Sequence, residues 1–471
     1  MSQSAAAKTR VIPLRQPIHK VRRRPPVPVA ARLVLGLALL VSVGTLLLLL
    51  PGMTTQPISF MDAWFTATSA AAVTGLAVLT TSTDFTRLGQ IVLLILVQLG
   101  GVGYMVLVAL ALQLLGRRVS LLDRLAVSSS LGLDKPAAIL VLLRRVIVGI
   151  FVIEGIGALL LYLHWRISGI VPADQAAFYA IFHAVSAFCN AGLDLFAGLP
   201  QYPRGIPGDS LTLLILGWLV ILGGLGIPVF LDLFAWRHRR RLSSHTQITL
   251  IVVLFLIVMG WVGLFLAETG PEGVLSESPF AERLVHTWFQ SVSARTAGFP
   301  GLRDFDQLLP ASRLLMMVLM FIGCAPASMG GGITTGTFAV LALVLWSSAR
   351  GLPAVQFRRR TIANETVRRA TAVLGISLAL VFIASWLILL THDLTLNETL
   401  FEVISALATC GLSLGVTGRL NTFGQIIIIL MMFWGRLGAL TIAVALFRQQ
   451  PAKQLVQYPE ARILIGQLSA A

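Results

Sequence analysis

The sequence predicts an all-α integral membrane protein with eight transmembrane helices in four helix–short stretch–helix repeats. Three observations predict it. Of 471 residues, 56% are hydrophobic and 12% are charged, far too little polar surface to cover a soluble fold of this size. Apolar runs of about 20 residues, long enough to cross a bilayer, recur along the chain. Between them a pattern appears four times: Phe-x-x-x-Ser-Ala, three or four residues, then Gly and a large apolar residue. The copies start at Phe65, Phe182, Phe289 and Phe401 and end at Gly75-Leu76, Gly192-Leu193, Gly298-Phe299 and Gly411-Leu412. The glycines are 117, 106 and 113 positions apart, and recurrence at such a period marks an internally repeated architecture.

Residues 1–31 form a basic arm with Lys8, Arg10, Arg15, Lys20 and Arg22-Arg23-Arg24 and no acid. That composition builds no core. It anchors the first helix on the inside, with docking to anionic lipid or a cytosolic partner as the sharper reading. The first repeat covers 32–116. Leu33 to Leu50 goes out, the first short stretch follows, and Leu88 to Leu115 returns with Gly100-Gly101-Val102-Gly103 inside it. A loop with Arg117, Arg118, Arg124, Lys135, Arg144 and Arg145 then lies inside. The second repeat, 144–236, has Val146 to Tyr162 outward and Leu211 to Phe234 inward, ending in Arg237-His238-Arg239-Arg240-Arg241. The third, 248–347, has Ile248 to Ala267 outward and a long return from Leu309 to Trp346. The fourth, 371–448, has Thr371 to Leu390 outward and Phe423 to Phe447 inward. Residues 449–471 form a cytoplasmic tail.

Charge fixes the orientation. Of the 36 Lys and Arg, 27 fall on the predicted inside and 8 on the outside, with Arg436 left in the membrane. Both termini are therefore expected in the cytoplasm, in a multi-pass protein of the cell inner (plasma) membrane. The net charge of +16 belongs to these topology signals and implies no nucleic-acid partner. Cys189, Cys324 and Cys410 lie in or beside apolar segments without metal-ligand spacing and read as packing residues. No cleavable signal peptide is evident, because the Leu33–Leu50 run is too long and ends in Pro51-Gly52.

Each short stretch is too short to cross and must return to its own side, so its backbone has to be buried in protein or line a watery cavity. The physical reading is a short pore helix followed by an extended filter. The Phe is expected to pack outward, and the Ser-Ala pair to allow close approach. The negative end of the helix dipole then faces the place where a cation would sit. Carbonyl oxygens can replace the ion's water, and glycine permits the required backbone angles. The filter candidates are Val73, Thr74 and Gly75; Asn190, Ala191 and Gly192; Thr296, Ala297 and Gly298; and Thr409, Cys410 and Gly411. None is acidic, which favours a monovalent cation over calcium. The rival reading, packing loops with glycine at tight turns, suits one loop but not four.

Two features fall below the filter. The long return of the third repeat cannot stay helical through Pro326 and Gly330-Gly331-Gly332. Ser328, Thr334 and Thr335 give this break, 323–336, polar groups suited to a pore. Arg436 lies mid-span, where a charge must face a cavity or a partner.

Here the sequence resembles the Trk/Ktr/HKT superfamily of potassium transporters, and most closely its bacterial Ktr-type membrane subunits. The resemblance rests on Val73-Thr74-Gly75-Leu76, the Gln290–Phe299 stretch and the Gly-rich break before Thr334-Thr335. It extends to Trp434-Gly435-Arg436-Leu437-Gly438 with Leu440-Thr441, and to Tyr458-Pro459-Glu460-Ala461-Arg462-Ile463-Leu464-Ile465-Gly466. It implies four M1–P–M2 units around one pseudo-fourfold pore. It also implies a homodimer gated by a cytosolic RCK-type nucleotide-binding subunit, so that nucleotide acts only through that partner. Glycine at all four filter positions goes with potassium preference. The break, with Gly330, Gly331, Gly332, Thr334 and Thr335, would be an intramembrane gating loop, and Arg436 an electrostatic barrier under the filter. Cys324-Ala325-Pro326-Ala327 is more apolar and stiffer than the Ser-richer family version. Trk-type subunits carry two extra N-terminal helices where this chain has only its basic arm.

The resulting expectation is potassium uptake down the electrochemical gradient, with K+ (or Na+) as cargo, no cofactor in the chain and no enzymatic activity. No Walker or aspartyl-phosphate motif is evident. The third-unit loop and the C-terminal tail are the expected docking sites for the partner. A sodium-selective or sodium-coupled transporter of the same superfamily is one alternative, and an intramembrane enzyme a more distant one. For the enzyme, Glu154 and His183 are too isolated. Glu154 is expected to partner a basic or polar group, and His183 to be a hydrogen-bonded packing residue. Arg295 is expected to tie its filter segment to carbonyls or acids. Glu268, Glu272 and Glu277 read as solvated outer acids that could raise local cation concentration.

Overall fold

The computed structural model describes residues 29–103, 139–202, 205–302, 304–358 and 360–438. The basic arm up to residue 28, the loop with Arg117, Arg118, Arg124 and Lys135, and residues 104–115 of the first return lie outside the described residues. So do Leu440-Thr441, the Tyr458–Gly466 motif and the rest of the tail.

Among the described residues the regular structure is helical apart from one two-stranded hairpin, β1 (Gln356–Phe357) with β2 (Arg360–Thr361). Three-part units follow one another. The first has α1 (Val29–Leu48), α2 (Phe60–Ala71) and α3 (Arg87–Val102). The second has α4 (Ile139–Ser168), α5 (Ala176–Phe188), α6 (Ser210–Gly224) and α7 (Ile227–Arg239). The third has α8 (Ser244–Glu268), α9 (Phe280–Ser293), α10 (Pro310–Phe321) and α11 (Thr335–Ala349). The fourth has α12 (Asn364–Leu389), α13 (Leu396–Ala408) and α14 (Thr422–Leu437).

The first helix of each unit is long and apolar enough to cross a membrane, and these are four such helices among the described residues. Their outer faces carry exposed Leu35, Leu39, Phe151, Leu254, Phe255, Phe382 and Trp386. An apolar belt of this kind suits lipid rather than water. Side-chain caps start many helices. Ser59 and Thr395 form capping boxes with Asp62 and Glu398 at α2 and α13, which satisfies two otherwise orphaned donors each.

The returning helices depart from the continuous spans expected. α3 stops at Val102 because Gly103 takes φ +91°, and α14 stops at Leu437 because Gly438 takes φ +80°. The second return is not one helix. α6 and α7 meet at 93°, where Gly226 has φ +84° and Pro228 opens α7. A proline in the first turn suits a new helix, since its missing N–H would be unpaired there anyway. The third return breaks between Phe321 and Thr335, around Pro326 and the glycine triplet as expected.

Four buried clusters close the units into a ring. One holds side chains of the first and second units, including Phe85, Leu93, Phe182 and Leu193. The next joins second and third through Leu213, Leu216, Phe289 and Phe299. Another joins third and fourth through Leu256, Met316, Phe401 and Leu412. The last joins fourth back to first through Val403, Ile428, Phe65 and Leu76. Phe65, Phe182, Phe289 and Phe401 are all fully buried, and each sits in the cluster between its own unit and the one before. The expected outward packing is thus packing into the seams between units.

Candidate functional site

The serine of each repeat explains the shape of the loop that follows. In all four repeats its carbonyl accepts the N–H of the residue before the glycine. These are Thr74 on Ser69 (2.8 Å), Ala191 on Ser186 (2.8 Å), Ala297 on Ser293 (2.9 Å) and Cys410 on Ser405 (2.8 Å). Its hydroxyl then fixes the next part of the strand. Ser69 and Ser405 accept the N–H groups of Gly75 and Gly411 at 3.0 and 3.1 Å. Ser186 and Ser293 donate to the carbonyls of Leu193 and Phe299 at 2.8 and 2.6 Å. From sequence alone the serine reads only as a close-packing residue. Its recurrence five or six residues before each glycine was the available signal.

The backbone is held in one unusual form four times. Val73, Asn190, Thr296 and Thr409 have φ of +56°, +59°, +77° and +49°. Gly75, Gly192, Gly298 and Gly411, two residues on, have φ of +92°, +64°, +78° and +93°. A residue with a Cβ is disfavoured in this region, so four such residues at one aligned position mark a conformation that the surroundings enforce. Alternating handedness turns successive carbonyls toward one side, whereas a plain strand alternates them.

The four strands meet. A Cβ on Gly75 would strike the carbonyl oxygen of Ala191 and lie 3.2 Å from the Cα of Gly192. One on Gly192 would lie 2.7 Å from the carbonyl oxygen of Ala297 and 3.0 Å from the Cα of Gly298. One on Gly298 would strike the Cys410 oxygen, 3.2 Å from the Cα of Gly411; one on Gly411 would strike the Thr74 oxygen, 3.0 Å from the Cα of Gly75. The contacts run 75 to 192 to 298 to 411 and back to 75. The glycine and the residue before it in each strand, eight of the twelve sequence candidates, are therefore brought together, with Val73, Asn190, Thr296 and Thr409 one residue further back in the same strands, and glycine is required at each close approach.

All four glycines line one outer cavity of about 340 Å³, with Asp194, Ser413 and Thr417 in its wall. On the other side lies a cavity of about 270 Å³, lined by Gly100 to Gly103, Ser328 to Gly332, Thr334 and Arg436. The break in the third unit packs between ring and inner cavity. A Cβ on Gly330 would strike the Thr296 hydroxyl, and one on Gly331 would lie 2.5 Å from that of Thr409. The Arg436 guanidinium donates to the carbonyls of Met329, Gly100 and Gly101. Thr334 caps α11 through the Thr337 N–H and lines the inner cavity. Thr335 is fully buried and hydrogen-bonds its N–H to the Cys324 carbonyl (3.0 Å), away from that lining.

Further residues complete this region, of which Arg295, Glu154 and His183 were expected from the sequence and the close-approach glycines and the Cys324 contacts were not. Gly100, Gly223 and Gly435 let the returning helices touch the carbonyls of Ala71, Phe188 and Leu407, at the C-terminal ends of α2, α5 and α13. Cys324 places its sulfur 3.0 Å from the Thr296 hydroxyl and 3.2 Å from the Arg295 carbonyl. Arg295 reaches the Gly323 carbonyl (3.4 Å). Glu154 accepts from Gln98 (3.1 Å), and His183 lies against Asp194 (3.0 Å) and the Tyr179 carbonyl (2.8 Å). Glu268 corrects the reading of solvated outer acids. It is fully buried and accepts the N–H groups of Val274 and Leu309 at 3.1 and 3.0 Å, pinning the outer loop.

Comparison with known proteins decides the family. The model of the TrkH family, described as cation transport protein, matches residues 37–458. The chain belongs to the TrkH family of cation transport proteins. Its members are membrane ion transporters rather than enzymes. The chain is similar to the Ktr system potassium uptake protein B of Vibrio alginolyticus, 38% identical over 89% of this chain and 91% of that protein. The protein of the same name from Bacillus subtilis is 34% identical over 95% and 98%. The potassium/sodium uptake protein NtpJ of Enterococcus hirae is 31% identical over 92% and 96%. The crystal structure of the potassium transporter TrkH from Vibrio parahaemolyticus matches the fold with a TM-score of 0.70 at 17% identity, covering 92% of this chain and 87% of that one.

Proposed function

We propose that this chain takes up potassium across the cytoplasmic membrane through the glycine ring, as the membrane subunit of a two-component system. In this reading α1, α4, α8 and α12 are M1 helices and α2, α5, α9 and α13 are pore helices. The M2 spans are α3, α6–α7, α10–α11 and α14, which makes eight crossings around a pseudo-fourfold pore with both termini inside. Residues 73–75, 190–192, 296–298 and 409–411 form the selectivity filter. The loop with Gly330 to Gly332, Thr334 and Thr335, together with Arg436, forms the gate.

The closed contact ring of the four glycines carries the reading. Four strands with aligned backbone angles meet there, none of the twelve filter residues is acidic, and Asp194 enters only the wall of the cavity beyond them; such a carbonyl-rich arrangement suits a dehydrated monovalent cation. Membrane potential supplies about 2.3 kcal/mol per charge per 100 mV, enough to drive entry without hydrolysis in this chain. Potassium uptake by the Ktr-system relatives supports potassium as cargo, and their being one lettered protein of a system supports a separate regulatory subunit. We assign that partner as a cytosolic RCK-type ring, docked on the cytoplasmic loop of the third unit and the tail, beneath a homodimer of this chain.

The test is rubidium uptake into proteoliposomes holding the purified protein under an inside-negative potential. Saturable uptake that collapses in Gly192→Asp is expected. Uptake unaffected by a carboxylate in the ring overturns the pathway. The potassium/sodium uptake of the Enterococcus relative supports a second reading, in which sodium also passes. Labelled sodium in the same vesicles decides it.

A further inference from the structure

The residue three places before each motif serine stands behind the strand that its pore helix leads into. These residues are Thr66, His183, Gln290 and Glu402, all buried. Three of them reach past the ring to hold its outer end. Gln290 accepts the Gly301 N–H at 2.8 Å. Glu402 accepts from the hydroxyls of Ser413 (2.7 Å) and Thr417. His183 meets Asp194, two residues beyond Gly192, at 3.0 Å.

The second unit differs in kind, because both partners are ionisable. His183 is fully enclosed, with the edge of Trp165 at 5.4 Å and the ring of Phe196 at 4.9 Å. Its Nδ1 faces the Tyr179 carbonyl at 2.8 Å and so carries a proton. Its Nε2 and the Asp194 Oδ1 lie within hydrogen-bond distance at 3.0 Å, which ties the two side chains to one another. The same Oδ1 accepts the Phe196 N–H at 2.6 Å, and the Leu195 N–H points at Nε2 at 3.3 Å. Backbone donors after the ring are turned away from the axis toward the pair. On the other side, the Leu193 carbonyl is turned to the Ser186 hydroxyl. Asp194 itself is 8% exposed and lies in the outer cavity wall beside the four glycines.

We propose that His183 and Asp194 are positioning residues for ion discrimination: their bond fixes the outer end of the second strand and thereby the spacing of the ring at Gly192. The Cα of Gly192 lies close to where side chains would start on Gly75 (3.2 Å) and packs Gly298 on its other side. A slack second strand therefore loosens contacts on both sides. The inference rests on the ring being the filter.

The experiment measures labelled rubidium and sodium uptake in the same proteoliposomes, for His183→Ala, His183→Gln, Asp194→Ala and Gly75→Ser. Glutamine is the informative conservative change. It can donate to Asp194, and it is the residue the third unit uses at this place. The alanine variants should lower the rubidium-to-sodium ratio about tenfold, equivalent to ~1.4 kcal/mol, and His183→Gln should restore most of it. A pair that only supports folding would lower both fluxes together and leave the ratio alone, and that result overturns the proposal. An unchanged ratio in the alanine variants while Gly75→Ser shifts it overturns the positioning role alone. An unchanged ratio in all of them overturns the filter assignment as well.

Discussion

Replacing Gly192 by alanine or serine should widen the ring and reduce its preference for potassium. A Cβ there would lie 2.7 Å from the Ala297 oxygen, 3.0 Å from the Gly298 Cα and 3.2 Å from its carbonyl carbon. All three are main-chain atoms of the neighbouring strand, so no side chain can rotate away. To regain an ordinary 3.4 Å contact, that oxygen must retreat by at least 0.7 Å. The new residue must also hold φ near +64°, at a cost of roughly 1–2 kcal/mol once a Cβ is present. A polar contact to a charged group is worth about 1.5–3 kcal/mol. Displacing one of four inward carbonyls by this distance forfeits part of one such contact, or ~1–1.5 kcal/mol and about tenfold in potassium affinity. Sodium, being smaller and more strongly hydrated, depends less on that fixed spacing. Its uptake should fall less, so the rubidium-to-sodium ratio should drop severalfold, up to about tenfold if sodium uptake is unchanged. Paired uptake at saturating and limiting rubidium separates affinity from rate. Alanine tests geometry alone, and serine adds a hydroxyl that can itself meet an ion. A ratio unchanged in both variants, in monodisperse protein of undiminished thermal stability, would refute the argument.

Other expectations follow from the same geometry. Arg436→Ala should raise uptake, since a positive charge about 10 Å from a passing ion would cost ~1–2 kcal/mol at an effective dielectric near 20, or roughly 5- to 30-fold in rate; a slower, folded variant would contradict the barrier role. Ser405→Ala leaves the Gly411 N–H, now 3.1 Å from the hydroxyl, without its partner. The melting temperature should fall by the equivalent of ~1 kcal/mol, and selectivity with it. Thr395→Ala removes a capping box, with a stability loss of ~1 kcal/mol. The pKa of Glu398 in that box is held below its ordinary 4.5, chiefly by hydrogen bonds from the Thr395 hydroxyl and backbone. Its contribution is therefore present above 4.5 and lost as pH falls through the lower folded value. A melting curve against pH should show that acid-side loss in the wild type and a shallower one in Thr395→Ala.

How much of this was legible in the sequence depends on whether a feature repeats. The ring was readable because four copies of one motif fix four glycines and the two residues before each. The third-unit break was readable because Pro326 and three successive glycines cannot continue a helix. The breaks at Gly103, Gly226 and Gly438 were not, because hydropathy runs smoothly through them. A glycine in an apolar helix reads equally well as a packing contact. Here both uses sit side by side: Gly100 and Gly223 give close approach, whereas Gly103 and Gly226 end the helix three residues later. The seam packing of the phenylalanines was hidden for another reason. Each seam joins residues of different units, a separation no local pattern encodes. Glu268 looked solvated because it closes an apolar run before a polar loop, and only the fold shows that two backbone donors surround it.

The position of Arg436 shows why a charge can be kept at that depth. The residue after the close-approach glycine is Gly101 in the first unit, Gly224 in the second and Arg436 in the fourth, and in the third Cys324 follows Gly323, which packs on the Gly331 carbonyl of the break. Three are small and one is the largest cation available. Because α3 ends at Val102, the carbonyls of Gly100 and Gly101 have no helical donor. They also carry the negative end of the helix dipole. The guanidinium, with five donors and no acceptor, meets both, and takes the Met329 carbonyl of the third-unit break as well. A helix that ran on would have used those carbonyls itself and left the charge without compensation. The break at Gly103 and the arginine at 436 are therefore one device made from two units. In the proposed pathway that device ties the first and fourth units to the loop under the ring, so the loop cannot move without giving up a bond to a charged donor.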